Sequence, residues 1–69
     1  MRELKGKTVE MKINSQSSHY KRVIGEVVEM QGKMIVKATK VIDRWSDKWE
    51  NHPTSCLIST FNNTIVRVL

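Results

Sequence analysis

GEVVEMQGKMIVKATKVI, residues 25–42, reads as two runs of β-favouring residues folded about Gly32-Lys33. Runs rich in Val and Ile on either side of a glycine-containing break are the signature of a β-hairpin. The first arm extends back to Tyr20, which gives a strand from Tyr20 to Met30. Its alternation slips, because Val23, Ile24, Val27 and Val28 cannot all face one side. Gly25 sits at the slip, and a glycine inside a strand marks a bulge or a sharp bend. A long bent strand of this kind puts Val23 and Val27 in different environments. The second arm runs from Lys33 to Arg44, with Met34, Val36 and Ala38 alternating against Ile35, Lys37 and Thr39 and a bend near Lys40.

The flanking sequence supplies partners for this hairpin. Thr8-Val9-Glu10-Met11-Lys12-Ile13 alternates with period two, the pattern of a half-buried strand. Gly6-Lys7 breaks any helix begun at Arg2-Glu3-Leu4, and the Ser-rich stretch Asn14–His19 joins strands as a loop. Asp43 to Pro53 changes character: it holds both tryptophans and the proline, and Ser46 caps at most one helical turn through Trp49-Glu50. Ser55 to Phe61 and Thr64 to Leu69 are two further strands. Asn62-Asn63 between them suits a tight turn, since Asn tolerates positive φ.

Five short strands and no long helix predict an all-β fold, a small, strongly bent antiparallel barrel occupying residues 1–69 as one domain. The pattern resembles the Sm-like family, including its bacterial Hfq branch. Leu4 followed by Gly6-Lys7-Thr8-Val9-Glu10-Met11-Lys12-Ile13 is similar to the family's opening, Gly25, Val27 and Met34 fall at spacings like those of its first motif, and Asn62 to Val68 is similar to its closing strand. The resemblance implies a five-stranded bent barrel that assembles into rings and binds RNA. It does not extend to the base-reading residues. Gln31 and Ile35 stand where the family has Asp and Asn, and Ser59-Thr60-Phe61-Asn62 replaces an Arg-Gly pair.

Size and composition narrow the function. A core built from 69 residues leaves roughly 3–5 kcal/mol of net stability, and association with further copies is one way to add to it. No apolar run approaches the ~20 residues of a membrane helix, and Met1-Arg2-Glu3-Leu4-Lys5 does not lead into a signal-peptide core, so the expected location is cytoplasmic. Cys56 is the single cysteine and reads as a small hydrophobe within a strand. Twelve Lys and Arg against seven acids give a net charge of +5, which favours anionic partners, nucleic acid first among them. The plainer reading of the same charge is a solvated surface.

No catalytic constellation stands out, and the expectation is a protein without enzymatic activity, cofactor or metal. His19 and His52 have no Cys or carboxylate at metal-ligand spacing, and the three glycines are isolated. Two stretches read as binding surfaces. In the first, Tyr20 can stack on a base while Lys21 and Arg22 neutralise phosphates. The weightier alternative has Tyr20 packing in the core with the two cations solvated. In the second, Trp45 and Trp49 lie four apart on one side of a helical turn beside Arg44 and Lys48. Either ring can be a hot spot or base platform, or can plug the open end of the barrel. Lys33, Lys37 and Lys40 would form a stripe beside the hairpin turn if Lys37 and Lys40 face the same way. The leading expectation is a barrel binding single-stranded RNA or DNA. The alternative is a protein-interaction module acting as a small regulator or inhibitor, of the kind phages and plasmids carry. A homo-oligomer would form through the last two strands.

Overall fold

A computed structural model describes residues 2–69, without the side chains of Arg2 and Pro53; Met1, the start of the stretch read as lacking a leader and of the domain 1–69, lies outside them. A 3-10 turn at Arg2–Leu4 precedes five strands: β1 (Thr8–Lys12), β2 (Tyr20–Met30), β3 (Lys33–Asp43), β4 (Glu50–Ser59) and β5 (Thr64–Val68). They form one antiparallel sheet in the order β4-β3-β2-β1-β5. Among the described residues no ladder joins β4 to β5, so the sheet is not closed and both edges stay open. No helix among them is long and apolar enough to cross a membrane.

The hairpin at the centre pairs Met30 with Lys33 around Gln31 and Gly32, whose φ angles are 53° and 77°. Two central residues with positive φ identify a type I′ turn, the connection whose twist suits two adjacent strands. The turn is therefore Gln31-Gly32 and not Gly32-Lys33. A non-glycine residue in the first position hides this turn from sequence reading.

Gly25 is needed for a different reason from the slip in β2. Val23, Gly25 and Val27 keep strict period two on the inner face, and Val23 and Val27 belong to the same buried cluster. The extra residue lies opposite, in β3: Ile24 pairs with Lys40 and Gly25 with Ala38, which leaves Thr39 as the bulge. There β3 approaches so closely that a Cβ on Gly25 would stand 2.2 Å from the Lys37 carbonyl oxygen. The bend continues into β4. Ala38 pairs with Cys56 and Lys40 with Asn51, so β4 carries several unpaired residues across the same line.

Chain length then dictates the curl. β4 and β5 occupy opposite edges, about 19 Å apart in a flat five-stranded sheet. The four residues 60–63 join them, a reach of about 17 Å even when fully extended. They are not extended, because Asn63 N–H donates to the Thr60 carbonyl (3.1 Å) and Asn62 has a φ of 62°. The sheet must roll to bring its edges together at this end. Asn14 locks the result. Its amide Nδ2 donates to the Asn62 carbonyl (2.9 Å) and Thr64 Oγ1 (3.1 Å), and its backbone N–H donates to Asn63 Oδ1 (3.0 Å).

The rolled sheet encloses Val9, Met11, Ile13, Val23, Val27, Val36, Ala38 and Val41, with Leu4, Tyr20, Met34, Cys56, Ile58 and Ile65 packed around them. Residues 44–49 form no helical turn. Ser46 Oγ accepts the Lys48 N–H (3.1 Å) locally, and β4 begins at Glu50, five residues earlier than the sequence suggests and with Pro53 inside it. An edge strand with one side unpaired tolerates the proline's missing N–H.

Candidate functional site

β1 is flanked on both sides, by β2 and by β5, and this sets the chemistry of the outer face. Val9 and Met11 point into the core, so Thr8, Glu10 and Lys12 lie on the outer side. The register carries that side across the sheet. Lys12 faces Arg22, Glu10 faces Ile24 on one side and Arg67 on the other, and Thr8 faces Glu26. Further across, Ile24 faces Lys40 and Glu26 faces Lys37. The Thr39 bulge thus puts Lys37 and Lys40 on one face, which strict alternation would not do. Among the described residues, Lys12, Arg22, Lys37, Lys40 and Arg67 share a surface with two acids, Glu10 and Glu26. Lys33 sits beside the hairpin turn, at the far end from Arg22.

Glu10 is only 5% exposed although it lies on the outer face, because two arginines cover it. Arg22 Nη1 donates to Oε2 (2.6 Å) and Arg67 Nε donates to Oε1 (2.8 Å). The Arg22 hydrogen bond, opposed by desolvation and reinforced by Arg67, holds the carboxyl below its ordinary range. Lys12, Lys37 and Lys40 are exposed and make no ion pair among the described residues.

The residues singled out from sequence separate into engaged and available groups. Tyr20 is half-buried against the core, with its ring edge-on to His19 (5.0 Å) and His52 (6.2 Å), and burial raises its phenol above the ordinary value. Its ring packs against the core cluster. Arg44 is a structural peg: Nε donates to the Ser18 carbonyl (2.7 Å) and Nη2 to those of Ser15 (2.5 Å) and Tyr20 (3.4 Å), which pins the loop before β2. Lys21 pairs with the exposed Asp47 (3.1 Å), a contact worth little in solvent. Arg22 is shared with Glu10. Lys48 and Trp45 are exposed, the indole at 87%. Trp49 is 37% exposed and lies outside the core cluster, so neither indole belongs to the core.

An open groove of about 660 Å³ lies between the hairpin and the end of β4, lined by Lys33, Met34, Ser59, Thr60 and Phe61. Phe61 is 77% exposed. Both hydroxyls are engaged, Thr60 Oγ1 donating to the Met34 carbonyl (3.0 Å) and Ser59 Oγ accepting from Phe61 N–H (3.0 Å). The groove's sequence signal is an aromatic residue directly before the Asn62-Asn63 turn; β4 ends at Ser59, so Phe61 lies beyond the strand and not at its end. No group of three or more His, Cys, Asp or Glu side chains suited to a metal ion occurs among the described residues. His52 Nδ1 contacts the Thr54 carbonyl, and His19 lies 3.9 Å from Asp43.

No protein-family model, curated protein or solved structure matches the chain.

Proposed function

We propose that this chain is a non-enzymatic small β-barrel of Sm-like type that binds single-stranded RNA or DNA in the cytoplasm. One observation carries the reading: the register gathers five of the twelve cations onto one sheet face, against two acids of which one is buried. A surface kept basic merely for solubility has no reason to concentrate its charge. Arg22, Arg67, Lys12 and Lys40 line the path of a backbone, and the exposed Trp45 and Lys48 of the segment that follows β3 add an aromatic ring and a further cation. The sheet order with two open edges supports the Sm-like resemblance and an assembly through β4 and β5, where Leu57, Val66 and Val68 are exposed.

Neutralising about four phosphates gives a salt slope near −2.8, so affinity falls about 50-fold between 50 and 200 mM salt. Anisotropy of a labelled mixed-sequence single strand tests this. Trp45→Ala should weaken binding about tenfold and leave the thermal melt in place, because stacking one base is worth about 1–3 kcal/mol and the ring packs on nothing in the core. Absence of binding at 50 mM salt overturns the reading. The exposed indole also favours a second reading, a protein-interaction module with Trp45 as its anchor. That module would bind its partner with little salt dependence and ignore the strand.

A further inference from the structure

We infer that Glu10 is a positioning residue that holds Arg22 and Arg67 as a paired cradle for one backbone phosphate of a single strand. The inference rests on the nucleic-acid reading above and names the place where the backbone is gripped. A buried carboxylate on a small sheet is costly, and a well-packed apolar residue would serve stability as well. One arginine would neutralise it. Here two strands, β2 and β5, each contribute one, so the cluster keeps a surplus positive charge at the centre of the cationic face.

The geometry leaves the useful atoms unspent. Arg22 gives Glu10 only Nη1 and Arg67 only Nε, one to each carboxylate oxygen. Nε and Nη2 of Arg22 and both terminal nitrogens of Arg67 have no protein partner among the described residues. Both side chains retain solvent access, at 41% and 62%. Two planar donors set one carboxylate apart, with their free edges open to solvent, match the several acceptor oxygens of a phosphodiester. Glu10 fixes the rotamers of both arginines before the strand arrives, which lowers the ordering cost of binding. Lys12, directly across from Arg22, and Lys40, across Ile24 from Glu10, continue the cationic path to either side.

Charge and position make opposite predictions for one substitution. Glu10→Gln raises the net charge from +5 to +6, so a diffuse electrostatic surface would bind the strand more tightly and with a steeper salt slope. The cradle predicts weaker binding, about tenfold, with the slope unchanged, because the phosphate contacts lose alignment and not number. Arg67→Lys, on an exposed edge strand, retains the charge and tests the same point with the carboxylate itself left in the chain, although it replaces the guanidinium that contacts Oε1. It should also lose about tenfold in affinity and leave the melting temperature within a few degrees. The assay is anisotropy of a labelled 12-nucleotide single strand at several salt concentrations, with circular dichroism melts for each variant. If the wild-type chain binds but Arg67→Lys is unchanged, or Glu10→Gln binds more tightly, the cradle is wrong and the nucleic-acid reading stands. If the wild-type chain does not bind, both fall.

Discussion

Gly25→Ala is the substitution that probes the bend directly. An ideal Cβ there stands 2.2 Å from the Lys37 carbonyl oxygen and 2.6 Å from both the Lys37 carbonyl carbon and the Ala38 Cα. Comfortable contact between carbon atoms begins near 3.5 Å, so the two strands must separate by about 1 Å. No side chain can yield, because every obstructing atom is backbone, and β3 is held from its far side by β4. A separation of that size stretches a ladder bond from about 2.9 Å to about 3.9 Å, outside hydrogen-bonding range. Two such bonds at about 1 kcal/mol each, with overpacking strain of about 1–3 kcal/mol, sum to about 3–5 kcal/mol. That is the whole stability expected of a domain this small. Urea titration followed by tryptophan fluorescence should find the variant unfolded or barely folded at 25 °C. Gly32→Ala is the control. Its Cβ would meet nothing within 4 Å, and the penalty comes only from a φ of 77°, about 1–2 kcal/mol. A Gly25→Ala midpoint close to wild type, or a loss smaller than that of Gly32→Ala, refutes the reasoning.

Acid should expose the Glu10 cluster. Its carboxyl titrates below the ordinary value when folded, so it stabilises the fold above an unfolded pKa of about 4.3 and ceases to do so as the pH falls through the folded value. Urea midpoints for wild type and Glu10→Gln should therefore differ at pH 7 and converge as the pH drops below about 4.3; a constant gap from pH 7 to pH 3 contradicts the ion cluster. Open edges carrying Leu57 on β4 and Val66 on β5 predict association. Sedimentation at tens of micromolar should give a multiple of 8.0 kDa for wild type and the single-chain mass for Val66→Lys, and a wild-type monomer would count against edge pairing.

Much of the fold is legible in the residues because alternation and strand boundaries come from local burial. Tyr20–Met30 matches its expected span, and Thr8–Lys12, Lys33–Asp43 and Thr64–Val68 fall within one residue of theirs. The Asn62 turn was readable because Asn is a common residue at positive φ. Gln31 is not, so the expected turn falls one residue late, at Gly32-Lys33. β4 starts at Glu50, ahead of the expected Ser55, and its edge position is what admits Pro53 within it. The site was less legible for a physical reason. Whether a cation is free depends on partners far along the chain. Arg44 meets carbonyls of residues 15, 18 and 20, and Arg22 and Arg67 converge on Glu10 across separations of 12 and 57 residues. Exposure of Trp45 and the shared face of Lys37 and Lys40 follow from loop placement and a bulge, neither of which period-two reasoning encodes.

The Asn14 clamp on the turn between β4 and β5 sets a condition on any exchange of strands between copies of the chain. β5 is five residues long and ladders to β1 alone, so it is the element most easily lifted from the sheet. Lifting it bares one edge of β1 and withdraws Arg67 from Glu10 in the same motion. The strand that fits the vacancy in the same register is the β5 of a neighbouring copy, and its insertion restores every lost bond. Residues 60–63 are then a hinge, and the three hydrogen bonds of Asn14 are the latch that must open first. Side-by-side edge pairing leaves that latch shut, whereas strand swapping opens it. The two routes to a dimer thus differ in their kinetics: one follows concentration immediately, and the other retains a memory of whether the chain has been unfolded.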